Sequence, residues 1–210
     1  VEAAADQDVI HFNLGDNAGY PGAEYFTMIG PRLEVINSGQ SVLIGSGAGA
    51  GMDISANRFN VGIGDNALLN TTTGNSNVAI GHSSLVANIT HAQNVAIGIS
   101  SLESNTSDRN TAVGALAMQF NTTGTQNVAI GFRALWNNTT ANSNTAVGYG
   151  ALQNTDGQNN TSIGLSAGQT NSTGTNNTFL GHYADALSGN LNNATATVSY
   201  THLRAHETEA

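Results

Sequence analysis

Apolar positions in this chain come in short bursts, each opened by an asparagine and pivoting on a glycine. Residues 77–85 read NVAIGHSSL, 110–118 NTAVGALAM, 127–135 NVAIGFRAL and 144–152 NTAVGYGAL. Between bursts stand Asn, Thr, Ser and Gly, as in NTTTGNS (70–76) and NTTGTQ (121–126), which is turn chemistry. Within a burst the order apolar–small–apolar predicts a three-residue strand, its outer two side chains on one face and the middle one on the other. The bursts are too short, and too rich in Asn, Thr and Gly, for helix.

Aligned on the pivot, the glycines are Gly45, Gly64, Gly81, Gly98, Gly114, Gly131, Gly148, Gly164 and Gly181, separated by 19, 17, 17, 16, 17, 17, 16 and 17 residues. A fixed short period predicts an all-β parallel β-solenoid over residues 41–191, one coil of about 17 residues per repeat. The columns three and one before the glycine hold Val or Thr and Ile, Val or Leu. Sharing a face, they are the expected core: Val78, Ile80, Val95, Ile97, Val128, Ile130, Val147 and Ile163. A second apolar row, Leu68, Leu85, Leu102, Met118, Leu135 and Leu152, stands four after the glycine.

The column between the two aliphatic ones is kept small: Gly62, Ala79, Ala96, Ala112, Ala129, Ala146, Ser162. If Val and Ile face in, this column faces out, and its smallness suggests another backbone against it. Ala79, Ala96, Ala112, Ala129 and Ala146 are therefore the expected contact of a homotrimer; alanine simply tolerated on a short strand is the plainer alternative. Four before the glycine, Asn77, Asn94, Asn110, Asn127, Asn144, Asn160 and Asn177 would stack into an amide ladder. The glycine itself would supply a positive φ or a close backbone approach.

NVAIG and NTAVG followed by a small residue and Leu resemble the head repeats of YadA-like trimeric autotransporter adhesins, and similar repeats in bacterial and phage tail-fibre-like proteins. The resemblance spans about residues 41–184 and rests on many copies of one short motif. It implies a trimer of left-handed parallel β-rolls, extracellular, exposed on a bacterial cell surface or a phage virion and used for attachment. Two departures stand out: the period is mostly 17, longer than the tightest such heads, and the stalk, outer-membrane anchor or chaperone that the resemblance implies downstream is not found within residues 1–210.

Residues 1–40 do not repeat. DVIHFNL (8–14), EYFTMIG (24–30) and RLEVIN (32–37) alternate as short strands, with turns at 15–17 and 30–31, and would form an N-terminal β cap over the first coil's open edge. Residues 192–210 are expected as an unstructured tail. Within it VSYTHLRAHET (198–208) matches, residue for residue, the translation of a transposon-type sequencing adapter. A metagenomic reading frame running off its insert is the expectation, with the natural protein continuing past about Ala196; the tail is set aside.

Composition narrows the function. Charged residues make up 9% of the chain, lysine is absent, and the net charge of −9 leaves no basic patch for nucleic acid. Cysteine is absent, which removes disulfides and thiolate metal sites. No apolar run reaches the roughly 20 residues of a membrane helix, so direct membrane insertion of this segment is not expected.

No Ser-His-Asp order, HExxH, Walker loop or paired carboxylates occur, and neither an enzyme, a cofactor nor a metal is expected. GSGAGAGMD (45–53) only superficially resembles a calcium nonapeptide, and the Asn-X-Thr sequons follow from turn chemistry. His82 and His182 share the column after the glycine but stand six coils apart, roughly 28 Å at ~4.8 Å per coil. The same variable column places Phe132 and Tyr149 side by side as a candidate ligand surface.

The expected function is a structural or adhesive head or fibre segment, a homotrimer binding a host-surface receptor or matrix through many weak contacts. The alternative is a single-chain β-solenoid, ice-binding or matrix-forming, using the Thr111, Thr145, Thr161 and Thr178 column. That column is interrupted by Val and assigned to the core, which counts against it. A hexapeptide-type left-handed helix enzyme ranks last, since VGYGAL (147–152) supplies one hexapeptide where each coil would need three.

Overall fold

In a computed structural model of the chain, the described residues are 26–29, 32–35, 40–53, 55–186, 188–197 and 202–203. They contain no helix. Nine three-residue strands, Val42–Ile44, Val61–Ile63, Val78–Ile80, Val95–Ile97, Thr111–Val113, Val128–Ile130, Thr145–Val147, Thr161–Ile163 and Thr178–Leu180, stack in chain order into one parallel sheet. A tenth, Thr195–Ala196, pairs with Thr178 and Phe179, so the repeat continues beyond residue 191. Register is strict: Val78, Ala79 and Ile80 oppose Val95, Ala96 and Ile97. This is a β-solenoid with one strand per coil, as the period predicts.

The faces of the strands are the reverse of the expectation. Ala79, Ala96, Ala112, Ala129 and Ala146, expected at a subunit contact, are fully buried inside the roll. Val78, Ile80, Val95, Ile97, Val128 and Val147, expected as core, are only half-buried, and Ile130 and Ile163 are exposed. The reason is volume. The interior is filled from the opposite side by Leu68, Leu85, Leu102, Met118, Leu135 and Leu152, all fully buried. A Cβ added to Gly62 would lie 3.0 Å from Leu43 Cδ2 and 3.3 Å from Leu68 Cδ1. With leucine tips this close to the strand backbone, the inward strand position holds Gly, Ala or Ser and nothing larger. Ser162 fits by donating its hydroxyl to the Ala167 carbonyl at 2.6 Å.

Two inward residues break the size rule, and both are compensated. Leu43 and Phe179 stand where the other coils have Gly, Ala or Ser; facing them, Gly49 of the Leu43 coil and Gly168 of the coil before Phe179 stand where others have Leu or Met. A Cβ on Gly49 would be 2.7 Å from Leu43 Cδ1, and one on Gly168 2.7 Å from Phe179 Cδ2. Large and small have changed places across the roll while its filling is kept.

The leucine row sits on left-handed backbone, from φ 48° at Leu152 to 56° at Leu68. Such φ costs a non-glycine residue roughly 1–2 kcal/mol, whereas full burial of a leucine returns about 1.5–3 kcal/mol. Burial wins, which is why leucine persists there. At the pivot glycines both expected reasons coincide. Gly81 has φ 130°, and a Cβ on it would lie 2.6 Å from the Gly98 carbonyl oxygen of the next coil.

Two buried amide ladders close the corners. In the first, each Asn Oδ1 accepts the backbone N–H of the Asn one coil on: Asn77 to Asn94 at 3.0 Å, Asn127 to Asn144 at 2.9 Å, Asn160 to Asn177 at 3.0 Å. Most Nδ2 groups donate to a turn carbonyl, as Asn110 to Gly124 at 2.8 Å and Asn127 to Ala141 at 2.8 Å, while Asn144 Nδ2 donates to Asn138 Oδ1 at 3.5 Å. Buried polar groups are thereby paired, as they must be. The second ladder, seven after the glycine, was not anticipated: Asn88, Asn105, Asn121, Asn138 and Asn171 are fully buried there, and Asn138 Nδ2 donates to Asn121 Oδ1 at 2.8 Å.

At the N-terminal side Phe26–Ile29 and Arg32–Val35 pair antiparallel, matching two of the three strands expected there; the expected turn at 30–31 lies outside the described residues. The third, 8–14, lies outside the described residues, as does most of 198–210; His202–Leu203 pairs with Asp185–Ala186.

Candidate functional site

Inverting the strands puts aliphatic side chains on the outside. The outer sheet face carries two in-register columns, Val or Thr beside Ile, Val or Leu, without a charged residue in either. Ile44 is 46% exposed, Ile130 41% and Leu180 47%. Exposed Ile99, Phe132, Tyr149 and Leu165, just past the glycine, widen the band. Ten strands at about 4.8 Å make a strip on the order of 40 Å long. Large contiguous exposed apolar patches are uncommon on monomeric proteins and commonly serve as contact surfaces.

At one corner of the strip the coils based on Gly114, Gly131 and Gly148 gather four aromatic rings. Phe132 and Tyr149, in the same column of adjacent coils, stack with centroids 5.2 Å apart and planes 24° apart. The Arg133 guanidinium carbon lies 5.2 Å from the Phe132 ring centre and 4.7 Å from that of Trp136, sandwiched between them. Phe120 leans on Trp136 at 5.2 Å. The indole is pinned: Trp136 Nε1 donates to Gln119 Oε1 at 2.8 Å, and Gln119 Nε2 donates to Glu103 Oε2 at 2.7 Å. Of these residues only Phe132 and Tyr149 were anticipated. Arg133, Trp136 and Phe120 stand two, five and six residues after their glycines, in columns that are otherwise mostly polar or small. The turn at φ 54° on Arg133 brings them together.

The carboxylates are turn fasteners. Asp156 is the clearest: burial pushes its carboxyl up, but hydrogen bonds from the Thr140 N–H, the Thr139 hydroxyl and N–H and the Ala141 N–H outweigh this and hold it below the usual range. Asp53 is lowered by the hydroxyl and N–H of Ser55 and by Arg58, paired with it at 2.8 Å; together they close the one 19-residue coil. His82 lies 3.4 Å from Asp65 and His91 3.5 Å from Asp108, separate surface pairs. Among the described residues no three His, Asp or Glu side chains converge as a metal site.

No protein-family model, curated protein or solved structure matches the chain. Its surfaces therefore carry the functional argument.

Proposed function

We propose that this chain is a rod-like attachment segment, a head or fibre piece of a surface-exposed trimeric adhesin or tail-fibre-like protein. It assembles through the outer face of its sheet and presents repeated coils to a host-surface receptor or matrix. The observation that carries the reading is the uncharged outer face of the sheet, an unbroken Ile, Val or Leu column beside a column of Val and Thr, in register along nine strands. Burying Ile and Val returns about 25 cal/mol per Å², and a strip repeated identically on every copy is suited to a closed symmetric assembly. The subunit contact expected of the alanine column thus passes to Val78, Ile80, Val128, Ile130 and their column mates. The number three rests on the resemblance of NVAIG and NTAVG to YadA-like heads. Aligned copies would turn weak contacts into avidity.

Light scattering on the chain in solution tests this. A particle of three times 21.5 kDa is expected; a monomer at micromolar concentration contradicts it. A monomer with thermal hysteresis would instead establish the ice-binding alternative. One observation favours that second reading: Thr111, Thr145, Thr161 and Thr178 lie on the outward face rather than in the core. The intervening Val positions and the neighbouring Ile column favour a protein partner over ice.

A further inference from the structure

The aromatic corner holds a cation without a partner. Three arginines lie within the repeats, and two are engaged: Arg58 with Asp53 at 2.8 Å, and Arg109, whose Nε donates to Gln93 Oε1 at 3.3 Å. The Arg133 side chain makes no ion pair and donates no hydrogen bond among the described residues, and its Nε is buried without an acceptor. That Nε is sealed from solvent, but the two terminal nitrogens are not, and in a chain of net charge −9 a guanidinium without a carboxylate leaves them for an acceptor from outside. The rings already stabilise the cation through their faces, and they fix the plane of a fork whose geometry matches a carboxylate.

We propose that Arg133, with Phe132, Tyr149 and Trp136, forms a binding site for an acidic sugar. The sugar's carboxylate pairs with the Arg133 fork, and its apolar ring face lies against the exposed aromatics, of which Tyr149 is 54% exposed. A few placed polar groups on an aromatic floor is the usual composition of a small-ligand site. The Trp136–Gln119–Glu103 chain of hydrogen bonds holds one wall of the sandwich in place. The carboxylate has two possible sources in surface glycans: a uronic acid within a polysaccharide, or a nonulosonic acid at a chain end. The proposal gives the attachment reading a ligand class and rests on that reading for its avidity, one such corner being present per chain.

Trp136 is the chain's single tryptophan, so its fluorescence reports the site directly. The full chain is titrated with a polygalacturonate oligosaccharide, with sialyllactose and with neutral lactose. Saturable change with at least one acidic probe and none with lactose is expected, and which acid binds identifies the source. Arg133→Gln should weaken binding at least tenfold and Arg133→Lys by less, since lysine keeps the charge but not the fork. Arg109→Gln, which removes the same charge elsewhere, should leave binding unchanged, and thermal melts confirm that each variant is folded. No saturation with either acid, equal response to lactose, or unaltered binding by Arg133→Gln overturns the proposal. Scattering on the same samples separates the two ideas: a monomer that binds supports the site and contradicts only the assembly, and an assembly that does not bind contradicts only the site.

Discussion

The two faces of a single strand differ in what they tolerate. In Val128–Ile130 the middle residue, Ala129, is sealed between backbone and leucine tips, while Val128 and Ile130 look outward from a sheet nothing yet covers. Inside, size is dictated to within a methyl group, because the roll is narrow and already filled. Outside, only character is dictated, aliphatic and uncharged. The larger side chains lie where hydrophobicity alone would not put them, so volume rather than apolarity decides which face is the core.

The compensated end of the roll offers the strongest way to break that comparison. Phe179→Ala should cost about 3–5 kcal/mol through the cavity it leaves, and Gly168→Leu about 1–3 kcal/mol through overpacking. The double variant puts a small and a large residue back in their usual columns across these adjacent coils and should recover most of both losses in chemical denaturation, a clear non-additivity. Additive losses would mean that the two positions do not share one volume. On the outer side, Leu165→Ala should change stability by no more than about 0.5 kcal/mol.

Next in size is the pivot. Gly81→Ala places a Cβ against the Gly98 carbonyl at a φ that alanine rarely adopts, for roughly 2–4 kcal/mol, read from the shift of the melting transition. Asn127→Ala follows: it leaves the Asn144 N–H without its buried partner and takes one of two donors from the Ala141 carbonyl, which keeps Asn138 Nδ2, at about 1–3 kcal/mol by the same measurement.

These positions also show what was legible in the sequence. The period, the strand positions, the glycine column and the first asparagine ladder all follow from residues repeating at a fixed spacing. Alternation places Val128 and Ile130 on one face, but it carries no sign, so it cannot say whether that face is inside. The sign was written elsewhere, in Leu43 with Gly49 and Phe179 with Gly168, where a large inward residue meets a small one across the roll. The second ladder was hidden because Asn88 and Asn138 lie in segments that read as turn filler. The aromatic corner was half visible: Phe132 and Tyr149 share a column, whereas Arg133, Trp136 and Phe120 meet only through the turn.

A smaller effect concerns the outside of the turns. Asp156 has its carboxyl lowered in the folded state, so it contributes stability above the unfolded value of about 3.9. That contribution is lost as pH falls through the lower folded value. Asp156→Asn should therefore flatten the acid limb of a stability–pH curve, by under about 1 kcal/mol because the group is solvent-screened. An unchanged acid limb would show that the Thr139–Ala141 turn does not depend on the charge.

The orientation of the strand is tested most directly by placing arginine on its two faces in turn and following each variant by circular dichroism through a thermal melt. Ala129→Arg forces a charge into the filled interior and should abolish the cooperative transition; Ile130→Arg, one residue along, should keep the fold and its transition while scattering as a single chain. A folded Ala129→Arg beside an unfolded Ile130→Arg would contradict the account.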